Sequence, residues 1–302
     1  MGAGNVGQDG VVVSSLTSTL SVLTLFSAEE PVWTAERIIE RLGFTRPTGY
    51  RYVRELLSAG FLVRVASGSY ALGPRIIALD YQIRQSDPLL KAGLPVIHGL
   101  VAACGCEINL IGLYGEQIVT THQQHGVEHL PLSFGRGRPM PLFRGAGSKI
   151  IVANFARAKL RKLYDAHALD AGAAGLGADW ESFKTTMAAI RRAGYARTDG
   201  ELDTGFVGIA APVFNAEGEI MGSVIAALSR QRLGITDLNR LIELITSAGQ
   251  RISADIELIG HPRVRELPAM QVTAPPAPTG APATGFRPPS ANANLRGTKV
   301  AS

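Results

Sequence analysis

"FTRPTGYRYVRELLSAGFLVRVASGSYALG", Phe44 to Gly73, decides how the first third of the chain folds. Thr45 is a helix-capping residue, and Pro47 falls in the first turn, where a missing N–H costs little. On a 3.6-residue wheel Gly49, Val53, Leu56 and Leu57 share one side, and Gly60 ends the helix. Thr48, Arg51 and Glu55 then point away from that side, with Tyr52 and Arg54 flanking. Phe61, Val63 and Val65 alternate as a strand. Ser67-Gly68 turns the chain, and Tyr70 and Leu72 return as the partner strand.

Upstream, Thr34 caps a second helix that carries Ala35, Ile38, Ile39 and Leu42 on one side and stops at Gly43. Before it, Leu16, Leu20 and Leu23 recur at helical spacing, with Val22, Leu25 and Phe26 widening the face. Three short helices followed by a hairpin predict a winged helix-turn-helix over residues 14–73. From Trp33 to Arg75 seven arginines stand against three glutamates and no lysine, a net +4. Arginine suits bidentate contact with guanine edges and clamping of phosphates. Thr45, Arg46, Thr48, Tyr50, Arg51, Tyr52 and Arg54 on the second helix of that motif are therefore candidate DNA contacts, with Arg64 and Ser69 in the wing. The alternative is a solvated helix face used for protein contacts. Arginines on the outward face, completed by a wing, favour double-stranded DNA.

Downstream, Gly73-Pro74 opens a linker helix over 74–87. Asp87-Pro88 opens another helix, in which Pro95 is expected to cause a kink. "EINLIGLYGEQIVTTHQQ" reads as a hairpin. "GSKIIVANFARAKLRKLY" and "DWESFKTTMAAIRRAG" read as helices, the latter capped by Asp179 with Trp180, Phe183, Met187 and Ile190 on one side. "FVGIAAPVFNAEGEIMGSVIAALS" is a second hairpin, and Thr236 caps a long last helix through Leu238, Leu241, Ile245, Ile252 and Ile256. The fold class expected for 88–260 is α+β.

The bulk numbers agree with two cores: 302 residues, 46% hydrophobic and 18% charged. A net charge of +5 and a pI near 9.4 lean toward polyanionic partners. No apolar run approaches the roughly 20 residues of a membrane span. The first residues lack the order of a secretory signal, and Val6 stands where myristoylation wants Ser or Thr. Cys104 and Cys106 are too few for a disulfide framework. A cytoplasmic protein is expected, with residues 1–13 and the Pro- and Ala-rich 261–302 disordered.

With "LGFTRPTGYRYVRELLSAGFLVR", "SYALGPRIIAL", "RGAGSKIIVA" and "GIAAPVFNAEGEIMGSVIA" in that order, the chain resembles the IclR family of bacterial transcriptional regulators over about 14–258. The resemblance implies a winged helix-turn-helix, a linker helix and a GAF-like effector-binding domain. It also implies a homodimer or dimer of dimers on a palindromic operator, controlling a catabolic operon in response to a small carboxylate metabolite. Carried over, the pocket would use the backbone at Gly145 and Ala146, Asp199, the strand at Gly208 and Ile209, and Ser223, Ile225 and Ala227. Exposed amides at Gly145 and Ala146 would hold the carboxylate. Family members that take small keto acids carry hydroxyls on the last strand; Ile225 and Ala227 here tilt toward a larger aromatic or branched acid. Neither a cofactor nor enzymatic activity is implied.

Other constellations compete with this reading. His122, His125 and His129, with Glu128, have spacings a zinc site could use, but a strand running into a loop need not bring them together. Pocket-lining or exposed histidines, without metal, are expected. Cys104 and Cys106 fit a buried apolar role better than a redox pair. Asp199, Glu201 and Asp203 alternate like catalytic carboxylates, yet no nucleophile or phosphate loop accompanies them. Arg136 and Arg138 could meet an effector carboxylate or lie in a surface loop. A ligand-independent architectural protein and a fused enzyme remain the rival functional classes.

Overall fold

The computed structural model describes residues 14–66 and 68–259. The expectations for 1–13 and 261–302, and the Ser67 half of the wing turn, lie outside those residues. In the first half, helix α1 (Ser15–Ser21) passes through a 3-10 turn (Val22–Leu25) to a short strand β1 (Trp33–Thr34). Helix α2 (Ala35–Leu42) follows, its cap Thr34 accepting from Arg37 N at 3.3 Å. Helix α3 (Arg46–Ser58) and the wing strands β2 (Leu62–Ala66) and β3 (Ser69–Leu72) complete the unit. The wing is a three-stranded sheet in the order β1-β3-β2, so Trp33 and Thr34 add an edge strand that alternation did not reveal.

Its core gathers Val22, Trp33, Ile38, Tyr52, Val53, Leu56, Leu62 and Tyr70. Two phases differ from the sequence reading. Leu62 turns inward while Val63 and Val65 stay 40% and 52% exposed, because Tyr70 and Leu62 meet the helices. Leu16 and Leu20 are 67% and 46% exposed, and Val22 takes the buried place on that side.

Helix α4 (Pro74–Ser86) has no buried residue. Helix α5 (Pro88–Cys104) runs unbroken through Pro95 and is capped by Asp87, whose Oδ1 accepts from Leu89 N and Leu90 N. The rest follows as β4 (Glu107–Tyr114), β5 (Gln117–Gln124), α6 (Ala146–Ala153), α7 (Arg157–Ala173), α8 (Trp180–Ala193), β6 (Ala196–Asp199), β7 (Phe206–Phe214), β8 (Ile220–Ser229), α9 (Arg230–Leu233) and α10 (Leu238–Ile259). Asp179 and Ser182 make a reciprocal capping box at α8. The last helix is capped differently from expectation. Asp237 Oδ1 accepts from Arg240 N at 3.1 Å, while the Thr236 hydroxyl donates back to Arg232 O at 2.8 Å.

The five strands form an antiparallel sheet in the order β5-β4-β8-β7-β6. Period-two alternation divides its residues between two cores. Ile108, Leu110, Val207, Ile209, Val224 and Ala226 face α5 and α10, packing on Leu90, Ile97, Leu241, Ile245 and Ile252. Ile111, Ala210 and Ile225 face α6 and α8, packing with Ile150, Ile151, Phe183 and Met187. This second face is where the sheet leaves space.

Candidate functional site

Two regions gather the residues singled out in the sequence. On α3, Arg46, Tyr50, Arg51 and Arg54 are exposed and Thr48 is half-buried. Thr45 occupies the cap position, but its hydroxyl donates to Thr48 Oγ1 at 2.9 Å rather than serving a backbone amide. Tyr50 Oη donates to Glu36 Oε1 at 2.5 Å, which ties α3 to α2 and holds the Glu36 carboxyl below its usual range. Arg51 lies loosely beside Glu55, 3.9 Å away, with its guanidinium 5.3 Å from the Tyr52 ring centre. Among the described residues Arg54 has no carboxylate partner within ion-pair distance. Tyr52 departs from its assigned role. It is buried, edge-on to Phe44 at 5.2 Å, and serves the core instead of presenting a contact. In the wing Arg64 is exposed over the Tyr70 ring, and Ser69 is half-buried beside the turn.

The second region is a chamber on the α6 side of the sheet that leaves about 60 Å³ for the centre of a water-sized molecule. Asn109 and Ile111 (β4), Thr120 (β5), Gly208 (β7), and Ile225 and Ala227 (β8) form its floor, and Gly145 and Ala146 stand at one wall. Leu132, Phe134 and Met140 cover it, and Thr198, Glu201, Leu202 and Asp203 close the side. Gly145 has φ +82°, and a Cβ there would lie 2.5 Å from Leu202 Cδ1, so only glycine fits.

The polar groups are arranged with care. Ala146 N donates to the buried Thr198 Oγ1 at 3.1 Å, and Gly145 N donates to Glu201 Oε2 at 3.0 Å. The two amides expected to be open to a carboxylate are thus already engaged. Lys149, nearly buried, gives its Nζ to Glu201 Oε1 at 2.5 Å. Asn109 is 6% exposed, and among the described residues its Oδ1 has no hydrogen-bond partner. A wider vestibule of about 480 Å³ by the same measure lies alongside, bordered by Arg144, His167 and Asp170. It shares Phe134, Glu201 and Leu202 with the chamber.

Three assigned pocket residues lie elsewhere. Asp199 sits on the outward side of β6 and accepts from Arg230 Nε at 2.7 Å. Ile209 faces the α5/α10 core, since its neighbour Gly208 faces the chamber. Ser223 is fully buried beneath α6, where its hydroxyl donates to Gly147 O at 3.2 Å. Asn109, Thr120 and Glu201 take the polar places instead. Their signal was visible in part: Asn109 is the polar residue in the otherwise apolar run Ile108–Leu113.

The histidine run does not converge on one point. His125 Nδ1 lies 2.7 Å from the buried Glu107 Oε1, and its ring stacks on His129 at 3.9 Å. His122 is separate and half-buried, and burial lowers its pKa. Among the described residues no cluster of three His, Cys, Asp or Glu could hold a metal ion. Cys106 is buried in the α5/α10 core and Cys104 is packed at its edge. Arg136 and Arg138 turn away from the chamber, toward Asp80 and Glu29.

A winged helix with an arginine-bearing second helix, joined to a domain with a polar-studded chamber, is the build of a ligand-responsive DNA-binding regulator. The comparisons name the family. The IclR helix-turn-helix domain matches residues 15–66 and the bacterial transcriptional regulator IclR C-terminal domain matches residues 82–254, so the chain belongs to the IclR family of transcriptional regulators. It is 25% identical to the HTH-type transcriptional regulator KipR of Bacillus subtilis over 80% of this chain and 96% of that protein. It is 22% identical to the Pca regulon regulatory protein of Pseudomonas putida, covering 79% and 82% of the two chains. An IclR homologue complexed with 4-hydroxybenzoate, from Microbacterium hydrocarbonoxydans, shares the fold at a TM-score of 0.67 and 21% identity, over 80% of this chain and 99% of that one. Among the described residues no helix is long and apolar enough to cross a membrane.

Proposed function

We propose that this protein acts in the cytoplasm on a catabolic operon, and that a small organic acid in the chamber sets its hold on a palindromic operator. Residues 14–73 read DNA, 74–87 link, and 88–260 sense the acid. One observation carries the reading: Arg46, Arg51 and Arg54 all stand exposed on α3, while the other half of the chain holds a chamber with apolar walls and few polar groups. Ile111, Phe134, Met140 and Ile225 favour an aromatic or branched skeleton, and the relative complexed with 4-hydroxybenzoate supports that chemistry. Calorimetry on the full chain against 4-hydroxybenzoate and branched aliphatic acids tests it, followed by gel shift on DNA flanking its own gene. Absence of heat from every acid would overturn the effector half of the reading.

Helix α4 exposes Ile77, Leu79, Tyr81 and Ile83 at 72%, 41%, 59% and 54%, and α1 exposes Leu16 and Leu20. That much apolar surface calls for a partner. A second copy across a two-fold axis supplies one, and sets two wings at the spacing a palindrome requires. A homodimer, or a dimer of dimers, is therefore expected in sedimentation at micromolar concentration. A monomer there would remove this part of the proposal.

Arg54 stands at the flank of the reading face. Arg54→Ala is expected to weaken binding to all sequences together and to reduce the salt slope by about one for each phosphate left without its guanidinium. Competition titrations at several salt concentrations distinguish this from an effect confined to one base position.

A further inference from the structure

We propose that Glu201 is a built-in occupant of the effector site, and that an incoming carboxylate acts by displacing it. The inference rests on the organic-acid reading above and adds how the site selects and reports its ligand. Lys149 is nearly buried, and a buried cation needs an anion beside it. In this structure the anion is Glu201, whose carboxylate takes the Lys149 ammonium at 2.5 Å through Oε1 and the Gly145 amide at 3.0 Å through Oε2. These are the donors that a ligand carboxylate would seek at the start of α6. An acid that replaces Glu201 leaves Lys149 paired and the amide satisfied, so the exchange strands no buried charge. Glu201 has somewhere to go, because its side chain is 30% exposed and borders the vestibule.

A second observation points to a ligand independently. The Asn109 side chain is more than nine-tenths buried, lines the chamber, and has an oxygen without a partner among the described residues. Such a group costs stability unless something pairs with it, and a ligand hydroxyl is of suitable chemistry. The chamber also shares Phe134, Glu201 and Leu202 with the vestibule. Displacing Glu201 therefore opens the partition and joins the two spaces, giving an aromatic ring more room than the closed chamber offers.

The same segment reports the exchange. Residues 200–205 are bracketed by Gly200 at φ +70° and Gly205 at φ +90°, which permits a change of path at either end. Within the segment Asp203 accepts from the Ser133 amide at 3.1 Å and from its hydroxyl. Ser133 O in turn accepts from Arg138 Nη1 at 2.8 Å. Arg138 reaches Glu29 of the DNA-binding half, and Arg136 pairs with Asp80 of α4. A chain of polar contacts thus connects the partition through Arg138 to the winged helix, and Arg136, two residues away in the same loop, ties that loop to the linker helix.

The test uses full-length Glu201→Gln, titrated with 4-hydroxybenzoate and with its neutral analogue 4-hydroxybenzamide. Removing the competing charge should tighten the acid by about 10-fold or more, since charge-assisted bonds no longer have to be exchanged. The amide should gain less. Without any ligand, the variant's operator affinity should already match that of acid-saturated wild type. Equal or weaker acid binding by the variant would overturn the proposal, weaker binding marking Glu201 as a direct contact instead. If wild type binds no acid, the carboxylate reading falls, and the ligand-free operator affinity of the variant still decides: unchanged affinity rejects the built-in occupant. The Arg136→Ala, Arg138→Ala double variant should bind acid and operator as wild type does but lose the acid-dependent change. Retention of that change would reject the reporting route.

Discussion

Arg51→Ala is expected to lower operator affinity by roughly 2–6 kcal/mol across two half-sites, about 30-fold at the least, without unfolding the protein. The magnitude follows from geometry and chemistry together. Arg51 lies on the outward side of α3, and its neighbour Glu55 is 3.9 Å away, too loose a partner to hold it from DNA. A guanidinium on the second helix of a helix-turn-helix can meet a guanine edge through two parallel hydrogen bonds, worth about 1–3 kcal/mol each time the contact is made. A two-fold dimer makes the contact twice. The stability cost should be slight, because the side chain is half-exposed and rests against the equally exposed Glu55 and the face of Tyr52. Gel-shift titration against operator and scrambled DNA, with a thermal melt of each protein, checks both halves. Unchanged affinity and sequence preference would remove Arg51 from the reading face. A lower melting temperature would instead trace the weaker binding to folding.

The helix-turn-helix was legible because its signals are local. The cap at Thr34, the stops at Gly43 and Gly60, and the 3.6-residue spacing each act within one element. What needed the third dimension was the choice between two plausible faces. Tyr52 flanks the outward side on a wheel, yet in the fold its ring joins the winged-helix core, with Phe44 edge-on to it. Leu16 and Leu20 repeat at helical spacing, yet the core takes Val22, leaving the leucines outside. Leucine periodicity marks an apolar face without saying whether this chain or another covers it.

The chamber shows a different limit. Its strand residues were legible wherever parity was respected. Gly208, Ile225 and Ala227 face the chamber, so Ile209 between strand neighbours had to face away. With no element expected between the helix ending at Gly194 and the hairpin from Phe206, the strand Ala196–Asp199 stayed hidden; in it Thr198 turns inward and Asp199 therefore turns outward to Arg230. Ser223 has the right parity but lies farther along β8, where α6 covers it. The cover residues Leu132, Phe134 and Met140 come from a segment with no periodicity, and no local rule places such a segment over a sheet. Glu201 was visible as one of three alternating acids. That it would answer a buried lysine and a helix amide depended on α6 packing beside the 200–205 turn.

Ala146→Leu is expected to abolish the response to effector while leaving the DNA-binding half intact. Ala146 is fully buried at the start of α6, and its methyl lies 3.5 Å from where a Cβ on Gly208 would sit, across the inner end of the chamber. Three further carbon atoms placed there compete with any ligand for a space that leaves only about 60 Å³ for a water centre. The substitution also crowds Gly208 and Thr198, whose Oγ1 accepts from the Ala146 amide, and such overpacking costs about 1–3 kcal/mol, which a domain with two separate cores on one sheet should survive. The winged helix has its own core, so operator affinity without effector should stay near that of wild type. A bound acid shifts operator affinity only through its differential affinity for two states, typically about 5- to 150-fold, and this shift should disappear when the acid cannot enter. Calorimetry with 4-hydroxybenzoate, followed by gel shift with and without it, measures both quantities on one preparation, and a thermal melt confirms that the variant is folded. Wild-type acid affinity in a folded Ala146→Leu protein would place the effector somewhere other than this chamber.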